Sequence, residues 1–386
     1  MVQLDLPSNL HISLREFRSG SRLFKEAFTV SSLPQFGHVF IASLNSGPVS
    51  FDETLSDRIT LRRFSLISRG LGSGLILQSI KYVEFCIRLF VFYKDKRVSM
   101  VNVHSLALLP LGVFLKWAFK AKLIYDAHEL ETEVHGAKGI RKVGGKWIES
   151  ILVKRADHVF VVSESISDWY SSTYRISRPT VVLNAPYSRK VSKSNYFREK
   201  YGLRGDQLIL LYQGGLAYGR GVDLILSAFR ERSDDKAVII FMGYGPLEDA
   251  ISEASRACSN IFFHCAVPSE ALLEYTSSAD IGIHSIRNTC LNHDFCMPNK
   301  LFEYVMAGLP VLVSGMRDMS DFVYTHKIGV VFEEESIVCL NAAVDKLLEM
   351  DLGLFSRNAR IASVHGSWEA QEAKMLHVYE ALLAAR

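Results

Sequence analysis

The chain has 386 residues, 48% of them apolar and 22% charged, an ordinary globular composition with enough length for two domains that each bury a core. Its net charge of +3 hides an asymmetry: 24 basic and 16 acidic residues up to Ala185, against 20 and 25 after it. A basic front half suits an anionic surface, but no basic run interleaved with aromatics sits on a recognisable nucleic-acid module, so no nucleic acid is expected.

The six cysteines (Cys86, Cys258, Cys265, Cys290, Cys296, Cys339) form no CxxC pair and no disulfide-scaffold spacing, which suits a reducing compartment. No basic-then-apolar leader opens the sequence. The longest uncharged stretch, Val98 to Leu115, is broken by Asn102, His104, Pro110 and Gly112, and reads as a strand plus a buried helix rather than a membrane span.

In chain order, Leu10–Leu14 reads as a first strand. Ser21 then reads as the N-cap of a helix running to about Val30, and Gly37–Leu44 as a second strand. Gly20 sits where a strand-to-helix turn could approach a phosphate, or simply turn. Residues 75–93 read as an apolar helix whose charges, Lys81, Glu84 and Arg88, keep to one narrow stripe, which predicts a largely buried helix. Strands follow at Val98–Val103 and Leu123–Asp126. His128, just past the second of these, reads either as a structural hydrogen-bonder or as a reactive group. Arg141–Ile148 leads a basic helix carrying Trp147, suited to an anionic membrane surface or to a solvated face with one core-facing Trp. Ala156–Ser163 and Val181–Pro186 complete the strands of the front half.

From Tyr187 to Lys200 the apolar pattern stops, marking a linker. A second alternating series begins at Leu208–Gln213, followed by Gly214-Gly215 and by Arg220-Gly221 at a helix start. Val238–Met242 is a strand, with Gly243 and Gly245 in its turn; Ile261–His264 and Asp280–Ile286 are further strands. Strands alternating with helices in both halves predict an α/β protein of two doubly wound parallel domains.

The most legible stretch is Met297–Pro310. Pro298 suits a first helical position, Gly308 and Pro310 end the helix, and Val311–Val313 is a buried strand. A helix N-terminus at the carboxyl edge of a parallel sheet offers the N–H groups near Asn299, Lys300 and Leu301, plus the Lys300 charge, to an anion. Glu303 lies one turn on, on the same face as Lys300. Phosphate plus carboxylate suggests a nucleotide with its ribose on the acid; an ordinary βαβ unit with a solvated Lys–Glu pair is the plain alternative. Gly214 and Gly215 after a buried strand, with Arg220, can hold a diphosphate. The spacing is neither GxGxxG nor a P-loop, and no GxSxG, HExxH, DxD or Cys/His cluster is present, so no metal is required.

With these segments the sequence resembles the retaining glycosyltransferases of family 4, with the GT-B fold. The segments are Arg22–Ala27, Tyr125–Glu129, Arg155–Ser163, Tyr212–Leu216, Ala279–Ile283 and Pro298–Tyr304, in the family's order over most of the chain. The resemblance implies two Rossmann-like domains facing across a cleft: an acceptor domain at 1–187, a linker at 188–200, a nucleotide-sugar domain at 201–365, and a helix at 366–386 packing back on the first domain. It implies that Arg220 binds phosphate, that Glu303 binds ribose as the second Glu of a Glu-x7-Glu motif, and that His128 lies near the transferred sugar.

His128, Arg220 and Lys300 are thus the expected catalytic residues. Gly20, Gly214, Gly215, Gly243, Gly245, Asn299, Leu301 and Glu303 are the expected binding residues. Phe295 stands where the motif's first Glu is expected, and Gly215 where many members carry Arg; both changes accompany the PNK variant of the motif. No cofactor is expected: a UDP- or GDP-sugar is the substrate, and a saccharide or lipid-linked molecule the acceptor. The expected place is the cytoplasm, peripheral on an anionic inner leaflet. A nucleotide-sugar epimerase on the same fold, a non-catalytic scaffold and a nucleic-acid-binding module are the rival readings.

Overall fold

Apolar runs such as Leu208–Tyr212 and Val238–Met242 leave no polar side to a strand, so they need a sheet covered on both faces. The computed structural model describes residues 6–14, 21–45, 51–72, 74–136, 139–333 and 335–385 and gives both runs that environment. The chain forms two units: residues 1–182 with 372–386, and residues 183–371.

The first unit contains β1 (Ser8–Ile12), α1 (Arg22–Ser31), β2 (His38–Leu44), β3 (Asp52–Ser56), β4 (Ile59–Phe64), α2 (Leu75–Tyr93), β5 (Val98–Val103), α3 (Leu109–Phe119), β6 (Lys122–Ala127), α4 (Gly139–Leu152), β7 (His158–Val161), α5 (Glu164–Tyr174) and β8 (Thr180–Val181). Its sheet runs β3-β4-β2-β1-β5-β6-β7-β8, parallel except for the β3–β4 hairpin at one edge. As expected, Ser21 caps α1, its hydroxyl accepting from the Phe24 N–H.

The second unit contains α6 (Tyr196–Tyr201), β9 (Leu208–Gly215), α7 (Val222–Glu231), β10 (Ala237–Tyr244), α8 (Glu248–Ala257), β11 (Ile261–Cys265), α9 (Leu272–Thr276), β12 (Ile281–His284), α10 (Leu291–Asp294), α11 (Asn299–Met306), β13 (Val311–Ser314), α12 (Arg317–His326), β14 (Gly329–Phe332), α13 (Ile337–Glu349) and α14 (Leu352–His365). Its parallel sheet runs β11-β10-β9-β12-β13-β14, with a core on each face. The last helix, α15 (Trp368–Ala384), starts in this unit and belongs to the first from Glu372 onward, where the Tyr379 hydroxyl donates to Asn102 Oδ1 at 2.6 Å.

Three expectations change. The predicted linker at 188–200 ends inside α6, where Phe197 is fully buried in the second core; the aromatic residues Tyr196, Phe197 and Tyr201 outweigh the surrounding Ser and Lys. Pro298 is the N-cap of α11, with extended backbone, and Asn299 is the first helical residue. Finally, α2 is not largely buried: only Phe85, Leu89 and Tyr93 are, and an apolar stripe faces solvent. A narrow charged stripe limits the polar face, but it does not say whether the remaining apolar face has a partner in the same chain.

Candidate functional site

In the second unit the expected residues converge at the carboxyl edge of the sheet. Tyr304 of α11 makes the junction: its hydroxyl accepts from the Gln213 N–H at 3.0 Å and donates to the Ile283 carbonyl at 3.1 Å, tying the helix to β9 and β12. Gly282 permits this, because a Cβ there would lie 2.1 Å from the Tyr304 ring. Anchoring α11 this way places Lys300 beside the end of β9. Its ammonium lies 3.9 Å from the Tyr212 ring centroid, and a side chain on Gly214 (φ +109°) would start 3.5 Å from Nζ. A side chain on Gly215 would start 3.9 Å from Arg220 Nε. The two glycines therefore leave room beside two cations.

The Lys300 residue is 9% exposed, yet its Nζ has no hydrogen-bond partner. Burial, and then the neighbouring Arg220 charge, push its pKa down to about 7, against a smaller pull from Glu303 and Cys296. Next to it, on β12, His284 has neither ring nitrogen hydrogen-bonded, and burial followed by the charges of Lys300 and Arg220 holds it well below the ordinary imidazole range. Ser285 Oγ is a third orphan. Three neighbouring side chains with unmet buried polar atoms call for an explanation, and a polar ligand at this sheet edge supplies one. Glu303 accepts from Gln213 Nε2 at 2.6 Å, while Gln213 Oε1 accepts from the Thr276 hydroxyl at 2.8 Å, so the carboxylate orientation is fixed by a relay.

Other expected residues have a structural explanation. Leu301 is fully buried in the core and its N–H donates to the Pro298 carbonyl at 3.0 Å, so it offers neither side chain nor N–H to an anion. Gly243 lies in β10 against β9, where a Cβ would fall 1.9 Å from the Gly214 carbonyl oxygen; Gly245 (φ +150°) likewise lets the chain pass Leu216. Asn299, exposed, opens α11. Phe295 is buried, with Arg317 over its ring at 5.3 Å. Gly20 lies outside the described residues.

In the first unit His128 stands at the end of a buried polar chain. Its Nε2 meets Asp126 Oδ2 at 2.5 Å, the same oxygen meets His104 Nδ1 at 3.1 Å, and His104 Nε2 meets His11 Nδ1 at 3.0 Å. Arg22 forks onto Asp126 (2.7 and 3.0 Å) and pairs with Glu26 at 2.7 Å. Burial alone would raise the Asp126 carboxyl, but Arg22, His128 and the two imidazole hydrogen bonds outweigh it and hold it well below the usual carboxylate range. Glu26 is driven up by burial and by Asp126, against Arg22. Donor atoms of Glu26, His104, Asp126 and His128 lie within 4.8 Å of one another, a set that could take a metal ion. The Arg22 guanidinium already pairs with both carboxylates, so a cation would have to compete with it. A cavity of about 570 Å³ in this unit, lined by Leu44, Phe64, Arg69, Lys81 and Phe85 among others, touches none of the predicted site residues.

Sequence reasoning missed Gln213, Thr276, His284 and Ser285 in the second unit, and Arg22, Glu26, His104 and Asp126 in the first. His284-Ser285 at the end of a strand beside the Gly214 strand was the available signal.

Comparison of the whole structure with solved ones decides the fold. Sucrose-phosphate synthase from Thermosynechococcus elongatus superposes with a TM-score of 0.82, at 15% identity over 98% of this chain and 100% of that one. The fold is GT-B. Anabaena Alr3699/HepE in complex with UDP and glucose follows at a TM-score of 0.70, 11% identity, over 97% of this chain and 100% of that one. WaaG, a glycosyltransferase involved in lipopolysaccharide biosynthesis, has a TM-score of 0.67 and 17% identity, over 96% of this chain and 99% of that one. Residues 194–362, within the second unit, match the family described as glycosyl transferases group 1. No curated protein matches the sequence. Among the described residues, no helix of this GT-B chain is long and apolar enough to cross a membrane.

Proposed function

We propose that the chain is a retaining glycosyltransferase that moves a sugar from a nucleotide-sugar donor to a carbohydrate or lipid-linked acceptor in cell-surface polysaccharide or glycolipid synthesis. The observation that carries this reading is the cluster of unmet polar atoms on Lys300, His284 and Ser285, beside Arg220 and two glycines at a sheet edge. A diphosphate supplies the acceptors these groups lack. The group 1 match over this unit and the UDP bound in the HepE structure support a UDP-sugar, with a GDP-sugar as the other candidate.

In this reading Arg220, Lys300 and the N-terminus of α11 hold the diphosphate, and Glu303, fixed by Gln213, holds the ribose. As the bond from the anomeric carbon to the diphosphate oxygen breaks, negative charge grows on the diphosphate, where the two cations stabilise it without a metal. The acceptor oxygen bonds to the same face of the anomeric carbon, and its proton passes to the departing diphosphate oxygen. His128 of the first unit, its Nε2 engaged by Asp126, keeps Nδ1 for a sugar hydroxyl. The acceptor would be met at the inner face of the cytoplasmic membrane.

A thermal-shift screen of UDP-, GDP- and ADP-sugars tests the reading. A donor at a hundred times its Kd stabilises the native state by about 2.7 kcal/mol. The Arg220→Ala and Lys300→Ala chains should lose that response and most transfer. No response to any nucleotide sugar, or near-normal transfer by Arg220→Ala, overturns it.

A further inference from the structure

Three neighbouring helices of the first unit expose apolar stripes. On α2, Ile76, Ile80, Val83, Ile87 and Val91 recur every three or four residues and are 45–77% exposed. On α3, Phe114 and Trp117 are exposed, Trp117 at 79%. On α4, Val143, Trp147 and Ile151 do the same. The inner side of α4 instead buries Glu149 among Tyr125, Tyr170 and Tyr174. This helix is polar within and apolar without, the reverse of a helix that faces water.

The stripes share one surface. The connections β4 to β5, β5 to β6 and β6 to β7 step the same way across the sheet, so right-handed crossovers lay α2, α3 and α4 on one face, running in the same direction. Phe90 of α2 packs on Phe114 and Phe119 of α3, and α3 packs on α4.

Each stripe also ends in a lysine three residues on: Lys94 after Val91, Lys120 after Trp117 and Lys154 after Ile151. Lys96, Arg97 and Arg155 stand beside them, all exposed, with Asp95 the one acid in these short segments. Because the helices run parallel, their cationic ends lie along one border, at the amino edge of the strands, away from the carboxyl edge that carries His104 and His128.

We propose that the α2–α3–α4 face seats this chain on an anionic bilayer, its stripes at the acyl boundary and its lysine border among the headgroups. The proposal gives the membrane association of the functional reading a defined surface, and rests on that reading only for its purpose. Apolar stripes bearing Trp, with Lys along one border, match an interfacial layer in both chemistry and charge. A second copy of this chain fits less well, since the border offers it six cations and one carboxylate.

Flotation of the full chain with phosphatidylcholine vesicles, with and without phosphatidylglycerol, tests this. The chain should float with the anionic vesicles, less so at high salt, and remain behind with the neutral ones. Each of Lys94→Gln, Lys120→Gln and Lys154→Gln should weaken partitioning about fivefold. The Trp117→Ser/Trp147→Ser chain should lose flotation and the vesicle-induced blue shift of Trp emission, with its circular dichroism and its UDP-induced thermal shift unchanged. The proposal is overturned if the parent chain stays behind with anionic vesicles, or if the double variant floats equally well. It is overturned too if sedimentation shows a dimer that the Trp changes split while vesicles capture neither form. A missing UDP response with flotation intact would instead count against the donor-site reading alone.

Discussion

Lys300 and Tyr212 form a cation–π pair at 3.9 Å in which the ammonium has no hydrogen-bond acceptor. The aromatic face replaces only part of the lost hydration. The free protein therefore holds a poorly solvated amine at the end of β9, whose charged form an anionic ligand would complete.

Lys300, at about 7, lies below its ordinary value of 10.5, mainly through burial. A depressed pKa gives stability that is present above the unfolded value and lost as pH falls through about 7. The ligand-free melting temperature should fall through that window, and fall less in Lys300→Met. A diphosphate raises the pKa again, so UDP should bind more tightly as pH falls toward 7 and take up a proton at higher pH. Titration calorimetry in two buffers of different ionisation heat measures that uptake; equal apparent heats would remove Lys300 from the phosphate site.

Gly243 separates a structural glycine from a binding one. A Cβ at this position would fall 1.9 Å from the Gly214 carbonyl oxygen. Gly243→Ala should cost about 1–3 kcal/mol, the range for forced overpacking, and lower the denaturation midpoint. An unchanged midpoint with weakened UDP binding would return Gly243 to the ligand.

The residues that were legible in the sequence are those whose chemistry is local. Gly214, Lys300 and Glu303 sit in one strand-end and one helix start, and Gly308 adopts the positive φ (+75°) its place after a helix implied. Tertiary partners were not legible. His104 and Asp126 are 22 residues apart and meet only because β5 and β6 are neighbours; Arg22 reaches Asp126 across 104 residues. The N–H of Leu301, at a helical position that ordinarily lacks a partner, is taken because the first turn of α11 closes with a tight i→i−3 bond to the Pro298 carbonyl, which no residue pattern shows. The pattern of α2 shows an apolar face but not its burial, since periodicity reports a face and not what covers it.

Gln213 is a positioning residue for Glu303, linked to it at 2.6 Å and to Thr276 at 2.8 Å. Hydrogen bonds to charged groups contribute about 1.5–3 kcal/mol. Glu303→Ala should therefore weaken UDP binding roughly tenfold to a hundredfold, and Gln213→Ala by less. Uridine-free pyrophosphate, which lacks the ribose, should bind both variants as it binds the parent chain. Equal losses for UDP and pyrophosphate would show that Glu303 does not read the ribose.

Glu149 is the buried acid that fixes α4, accepting from the hydroxyls of Tyr125 (2.9 Å), Tyr170 (2.5 Å) and Tyr174 (2.7 Å). Burial raises its pKa above 4.5 despite these three donors. A raised pKa gives stability that is complete below the unfolded value and lost as pH rises through the folded one, so this group favours the fold most in acid. Glu149→Ala removes the shared acceptor of three tyrosine hydroxyls, leaving Tyr125 and Tyr170 only their 3.5 Å contact with each other, and should cost about 3 kcal/mol or more by urea denaturation. Glu149→Gln keeps an acceptor for Tyr125 and Tyr170, and Tyr174 can reorient to accept from its amide. It should cost much less and remove this group's share of the acid-side gain. If Ala and Gln are equally mild, the tyrosine cluster does not hold α4, and the outward placement of Trp147 needs another cause.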